Sequence, residues 1–269
     1  MAGVNEPWYS VCRYNIWLMK QQTVARRRLD DTLASPNTVS KTDVITIYTS
    51  PGSFPGYINS ISAEAISSAC INEIKQSANL EAVVKKAGKY KTGAAIFWDA
   101  HENKHIVLPP FPIAEDRTLI NQLDASLLLE ILDRKYTIGV MLVTWGSYAV
   151  GVFDGGNLIK SKVGTGYIHK KHKKGGSSQK RFARRTEEQK KDFLRKVGNR
   201  IDEIFAQFTL DHIFFGGNRL ILKPLLPECR YLESKTEKIS GRILDVRHAD
   251  REVLNNSLSE IMKSVVFSF

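Results

Sequence analysis

Apolar positions change their period along the second half of the chain, and each change marks an element. Residues 137–144 (TIGVMLVT), 148–153 and 158–163 are short runs rich in β-branched and aromatic residues, separated by turns at 145–147 and 154–157. They predict three consecutive strands of an antiparallel meander. From about 186 to 208 the period becomes helical, with Phe193, Val197, Ile201, Ile204 and Phe208 on one stripe and Lys190, Lys191 and Arg195 off it. A strand at 212–215, the turn Gly216-Gly217-Asn218, an apolar run at 220–226, a strand at 242–246 and a helix near 252–263 complete the half. Three strands, a helix, then further strand and helix describe an α/β domain with a mixed sheet.

The first half alternates differently. Ile16, Trp17, Val24 and Leu29 recur near helical spacing and predict an amphipathic helix over residues 11–32, followed by a polar loop at 34–42. A strand at 44–48 ends in the turn sequence SPGSFPG at 50–56. Helices are predicted at 61–75, 80–90 and 125–132, with strands at 94–98 and 105–108. Asp133-Arg134-Lys135 reads as a junction, which divides the chain into domains at 1–134 and 135–269.

Charge follows that division. Residues 1–134 carry 14 Lys/Arg and 14 Asp/Glu, whereas 135–269 carry 25 against 14, which accounts for the whole net charge of +11. Residues 160–200 alone hold 15 basic and 3 acidic side chains. Charge this concentrated is an electrostatic footprint for nucleic acid. A membrane partner is not expected: no run of about 18 apolar residues occurs, and the basic stretch lacks the Trp/Leu face of an interfacial helix. Cys12, Cys70 and Cys229 are odd in number and far apart, which argues against a disulfide framework or a cysteine zinc site and for a reducing, cytosolic compartment. The N-terminus MAGVNEPWYS has no signal pattern.

The candidate chemistry lies in residues 169–185, HKKHKKGGSSQKRFARR, which hold eight Lys/Arg and no acid. The Gly175-Gly176 pair lets the backbone turn sharply and approach a ligand. The flanking cations hold that tip against a polyanion. Gln179 adds an uncharged amide able to donate and accept. Few apolar residues interrupt 164–178, so the segment is expected to be mobile in the free protein. His101-Glu102-Asn103-Lys104-His105 spells H-E-x-x-H, but it lies between two predicted strands. In a hairpin the two imidazoles do not converge as they do on a helix, so no metal is expected. No P-loop, dinucleotide loop or nucleophile elbow occurs.

The stretch 170–203 closely resembles the central domain of eukaryotic/archaeal-type class I peptide-chain release factors, whose pattern is KKHxRGGQSxxRFxRxR followed by a long helix. Lys170, Lys171, His172, Gly175, Gly176, Arg181, Phe182 and Arg184 match it. DVITIYTSPGSFPGYINSI and TGAAIFWDAHENKHIVLPPFPI are similar to parts of the family's first domain. In the family glutamine directly follows the glycines, where this chain has Ser177; its glutamine comes at Gln179. That spacing resembles the release-factor-like peptidyl-tRNA hydrolases of ribosome quality control. The family's Asn-Ile-Lys-Ser stop-codon element is interrupted here as Asn72-Glu73-Ile74-Lys75-Gln76-Ser77, and no third, GTPase-binding domain is evident.

The resemblance implies an α+β N-terminal domain followed by an RNase H-like mixed-sheet α/β central domain. It implies hydrolysis of peptidyl-tRNA on stalled large subunits, with no cofactor or metal. Gly175, Gly176, Ser177, Ser178 and Gln179 would form the catalytic tip. Lys170, Lys171, His172, Lys173, Lys174, Lys180, Arg181, Arg184 and Arg185 would grip RNA. The expected partners are large-subunit rRNA and peptidyl-tRNA, the protein acting as a monomer in the cytoplasm. Two alternatives stay open: an endonuclease of the tRNA 3′ end, with His172 as base, and a non-catalytic ribosome-rescue or RNA-binding module.

Overall fold

The computed structural model describes residues 19–33, 43–62, 66–100, 103–168 and 178–269, with the backbone alone at 30–33 and 178–180. The first elements are β1 (Lys20–Val24), α1 (Arg26–Leu33), β2 (Val44–Thr49), α2 (Gly56–Ser60), α3 (Ser68–Ala78), α4 (Glu81–Tyr90), β3 (Ala94–Asp99), β4 (Lys104–Leu108), β5 (Arg117–Ile120) and α5 (Ser126–Asp133). Then come β6 (Thr137–Thr144), β7 (Ser147–Asp154), β8 (Asn157–Thr165), α6 (Ser178–Phe205), β9 (His212–Gly217), α7 (Arg219–Leu225), α8 (Arg230–Ser234), β10 (Ile239–Leu244), α9 (Arg251–Ile261) and β11 (Ser264–Ser268). Two compact units result: Met1–Leu132 together with Lys263–Phe269, and Asp133–Met262.

The first unit is built on a six-stranded sheet, β1-β11-β4-β3-β2-β5, antiparallel throughout. β2 and β3 are buried on both faces, so they read as continuous apolar runs. Buried polar groups on β2 are satisfied: Thr46 Oγ1 donates to the Gln122 carbonyl at 2.8 Å and the Tyr48 hydroxyl to that of Asp124 at 2.6 Å. Three expectations change here. Lys20–Val24 is a strand rather than part of a helix over 11–32 (residues 11–18 lie outside those described), because it pairs with β11, the chain's last strand. The helix expected at 61–75 is α3, starting at Ser68, where the Ser67 hydroxyl accepts from the Cys70 N–H at 3.3 Å. Finally, Ser264–Ser268 does not belong with residues 135–269. Its buried Val265, Val266 and Phe267 fill the first sheet between β1 and β4.

The second unit is a five-stranded sheet, β10-β9-β6-β7-β8. β6, β7 and β8 form an antiparallel meander, whereas β9 runs parallel to β6 and β10 parallel to β9. This order and direction are those of an RNase H-like mixed α/β sheet. α6 covers one face, packing Phe193, Leu194, Val197, Ile201, Ile204 and Phe205 against Met141, Val143, Tyr148, Val150, Val152, Ile213 and Phe215. α9 covers the other, where Leu254 lies against Gly151 so closely that a Cβ there would come within 2.9 Å of it. The apolar run at 220–226 is the helix α7, capped by Asn218 Oδ1, which accepts from the Leu220 N–H at 2.9 Å.

Because β11 lies between β1 and β4, a chain ending at Met262 should lose the first unit's cooperative unfolding while the second keeps its own. Far-UV circular dichroism and limited proteolysis of the truncated and full chains would check this. An unaltered first unit would show that β11 is dispensable to it.

Candidate nucleic-acid and catalytic site

The site is organised by α6, 28 residues long and so about 42 Å from end to end. Its stripe of apolar residues meets the sheet only from Phe193 onward, and the residues before it are held differently. Arg181, Phe182, Ala183, Arg184 and Arg185 are all exposed, and Thr186 is the first buried residue among the described side chains of the helix. The helical turn at Phe182–Thr186 is reinforced by the Thr186 hydroxyl, which donates to the Phe182 carbonyl at 3.0 Å. Residues 181–185 therefore carry three cations and one exposed aromatic ring, Phe182, without burying apolar surface.

The helix begins eight residues earlier than its apolar period indicates. Most of the residues at 178–185 are the good helix formers Gln, Lys, Arg and Ala, so propensity carries the helix back from the sheet as far as Ser178. This revises the expectation of a loop ending at 185. Ser178, Gln179 and Lys180 form the first turn of α6. Gln179 lies in backbone register with Thr186 and Phe193, at seven-residue intervals along one face. A helix start leaves its first four N–H groups without intrahelical acceptors and carries a partial positive charge. Gln179 therefore stands among backbone donors suited to an anion or a developing oxyanion.

Of the expected RNA-binding residues, Arg181, Arg184 and Arg185 are brought together on the exposed start of α6. Arg184 Nε lies 3.0 Å from Glu188 Oε1, one turn on. Lys170, Lys171, His172, Lys173, Lys174, Gly175, Gly176 and Ser177 lie outside the described residues, as does the larger part of the segment expected to be mobile.

Neighbouring elements fix the helix in place. Lys190 Nζ pairs with Glu187 at 2.8 Å and sits 5.2 Å from the centroid of the Trp145 ring in the β6–β7 turn. Lys196 Nζ donates to the Thr165 carbonyl at 2.9 Å, tying α6 to the end of β8. On the opposite flank, Asp202 accepts from the N–H groups of Tyr231 at 2.8 Å and Arg230 at 3.3 Å, at the start of α8. Gly198 makes that flank possible, because a Cβ there would lie 2.0 Å from the Glu228 carbonyl oxygen. Lys190 and Lys196 escaped the sequence reading as supports, since a lysine's contact to a ring or carbonyl leaves no periodic trace.

Other candidate strings serve structure. Among the described residues of the H-E-x-x-H string, Asn103 closes the β3–β4 turn by accepting from the Asp99 N–H at 2.9 Å, and His105 Nδ1 lies 3.0 Å from Ser268 Oγ in β11. Burial holds the His105 pKa below the ordinary histidine value. Among the described residues no cluster of three or more His, Cys, Asp or Glu could hold a metal ion. Burial pushes the Cys70 thiol up to about 11 and the Cys229 thiol up to about 12, so neither is a nucleophile near neutral pH. In the interrupted string at 72–77, Ile74 and Ser77 are buried on α3 and Glu73 accepts from Lys104 Nζ at 2.6 Å. Those side chains face the core and β4.

Sequence comparison matches residues 136–266 to the family described as the Actinobacteria/chloroflexi VLRF1 release factor. The chain is 25% identical over 166 residues to peptide chain release factor subunit 1 of Aeropyrum pernix, a match covering 58% of this chain and 43% of that one. It is 28% identical over 160 residues to the same subunit of Methanopyrus kandleri, covering 58% and 38%. The matched part is thus less than half of either archaeal protein. Among solved structures, archaeal translation termination factor aRF1 aligns with TM-score 0.33 and 15% identity over 84% of this chain and 67% of its own. The Vms1 mitochondrial localization core aligns with TM-score 0.38 and 11% identity over 81% and 89%.

Gly198→Ala should destabilise the second unit by about 1–3 kcal/mol, the range for overpacking a closed contact, because a backbone carbonyl cannot rotate aside. Gly88→Ala, with nothing within 4 Å of the added Cβ, should instead stabilise α4 by about 0.4–1 kcal/mol. Chemical denaturation of the two variants would check the contrast; equal and small effects would mean that α6 can move away from Glu228.

Proposed function

We propose, from the match of residues 136–266 to a release-factor family, that the protein is a cytosolic, ribosome-directed peptidyl-tRNA hydrolase that frees nascent chains from stalled large subunits. The observation that carries this reading is Gln179, three residues after a glycine pair and in the first turn of a basic helix. Water attacks the ester carbonyl joining the peptide to the terminal ribose of tRNA. The tetrahedral intermediate then expels the ribose oxygen, which leaves as a hydroxyl, and the peptide departs as a free acid. An amide is no base at neutral pH, so Gln179 contributes by orienting the water. The N–H groups that open α6 stabilise the oxyanion. Ser177 and Ser178 lie between the glycines and that amide. Lys170, Lys171, His172, Lys173, Lys174, Lys180, Arg181, Arg184 and Arg185 bind phosphates of rRNA and tRNA.

The deciding experiment incubates the protein with large subunits bearing peptidyl-tRNA and examines both the peptide and the tRNA 3′ end. Freed peptide with intact tRNA is the expected result. Shortened tRNA would mean an endonuclease, and neither change a non-catalytic binder. Gln179→Ala should lower ester hydrolysis by about a hundredfold or more, the scale of losing one preorganised polar group, with subunit binding barely altered. Activity within about threefold of the unaltered protein, on the same scale, would transfer the role to another residue, Ser177 and Ser178 first. Replacing Lys170, Lys171, Lys173 and Lys174 with Ala should reduce the salt dependence of subunit binding by about 0.7–0.9 in log–log slope per lost phosphate contact. An unchanged slope would show that these lysines face solvent.

A further inference from the structure

The basic surface does not stop at the start of α6. Among the described residues β8 is an edge strand of the second sheet, and its segment 157–168 contains no acid. Lys160 and Lys162 stand opposite Val152 and Val150 in the β7–β8 register. Those valines belong to the core beneath α6, so the two exposed lysines are on the α6 side of the strand. Gly164 continues the same face, and its lack of a Cβ, which would meet the Tyr148 hydroxyl at 2.4 Å, lets that ring pass beneath. From the helix, Arg200 lies beside Tyr148 and pairs with Glu203, and Lys196 reaches the Thr165 carbonyl. The edge of β8 and the adjoining flank of α6 thus share four cations, Lys160, Lys162, Lys196 and Arg200, of which Arg200 pairs with Glu203.

Exposed aromatic rings stand just past the end of β8 and near the start of α6. Tyr167 is 75% exposed just beyond β8, and Phe182 is 52% exposed on α6. Phe182 precedes Arg200 by five full helical turns, so the two lie on one face of the helix. Lysines on an edge strand also deter pairing with a second sheet. That role accounts for Lys160 and Lys162, but not for the helix cations and aromatic rings ranged beside them. A cationic groove topped by flat aromatic surface is the arrangement that holds single-stranded nucleic acid, the cations following the backbone and the rings stacking on bases.

We propose that the strip between β8 and α6 binds single-stranded RNA, with Lys160, Lys162, Lys196 and Arg200 on its phosphates and Tyr167 and Phe182 stacking on its bases. Resting on the hydrolase reading, this assigns the RNA as the 3′-terminal single strand of the tRNA, led along β8 towards Gln179.

The test uses the full chain and a fluorescently labelled 12-nucleotide single-stranded RNA, with a duplex of equal length as comparison. Its affinity is measured across a salt series for the unaltered protein, the double variant Lys160→Gln/Lys162→Gln, and Phe182→Ala. The double variant should lower the log–log salt slope by about 1.4, at about 0.7 per single-strand phosphate contact. Phe182→Ala should weaken single-strand binding about fivefold or more, the lower end of one lost stacking contact, and duplex binding much less. An unchanged slope in the double variant overturns the phosphate track. An equal loss for single strand and duplex on Phe182→Ala overturns the single-strand assignment. Peptide release by the unaltered protein, measured separately, tells the two readings apart. If the slope falls while no peptide is released, the hydrolase reading fails and the strip stands. If peptide is released and the slope is unchanged, the strip alone fails.

Discussion

The seam between α6 and the second sheet is the contact on which the rest of the second unit depends. Phe193, Val197, Ile201, Ile204 and Phe205 are buried to within 4% of completely, and each contributes about 1.5–3 kcal/mol relative to exposure. That stripe fixes the helix's rotation about its axis, and rotation decides where everything else on it points. One flank is held by Gly198 against the Glu228 carbonyl and by Asp202 on the start of α8. The other is held by Lys196 on β8 and by Lys190 over Trp145. A helix anchored over its C-terminal part can carry its first turns beyond the core without losing direction.

The cations of that helix are not explained by stability. Arg184–Glu188, Lys190–Glu187 and Arg195–Asp192 are pairs within one helix with at least one well exposed partner, and such pairs are worth about 0–1 kcal/mol each. Against them stands the mutual repulsion of 15 basic side chains within 160–200. An arrangement that stabilises so little and repels so much is one that a polyanionic partner would complete.

Strings that resemble chemistry elsewhere were absorbed by packing. Asn103 and His105 of the H-E-x-x-H string serve a turn and a strand, because alternation along a hairpin separates residues that a helix would gather. The interrupted string at 72–77 lends Ile74 and Ser77 to the core of the first unit. Cys70 and Cys229 are small buried side chains whose thiols burial keeps protonated.

Periodicity alone determined the meander β6–β7–β8, the strands β2, β3, β4 and β9, and the amphipathic stripe of α6, since each buries a face whose apolar spacing is written locally. Composition determined the basic half and its candidate tip at 169–185. Three features lay beyond that local signal, and two of them belonged to tertiary structure. Lys20–Val24 and Ser264–Ser268 became strands because they pair with each other, and a five-residue segment whose partner lies at the other end of the chain carries no local sign of that pairing. The start of α6 at Ser178 rests on propensity and backbone hydrogen bonding where no apolar face is buried, so the hydrophobic period could not report it. The grouping of Lys160 and Lys162 with Lys196 and Arg200 exists only once β8 pairs with β7 and α6 packs on that face of the sheet, bringing to one side residues that the sequence spaces some 34–40 residues apart.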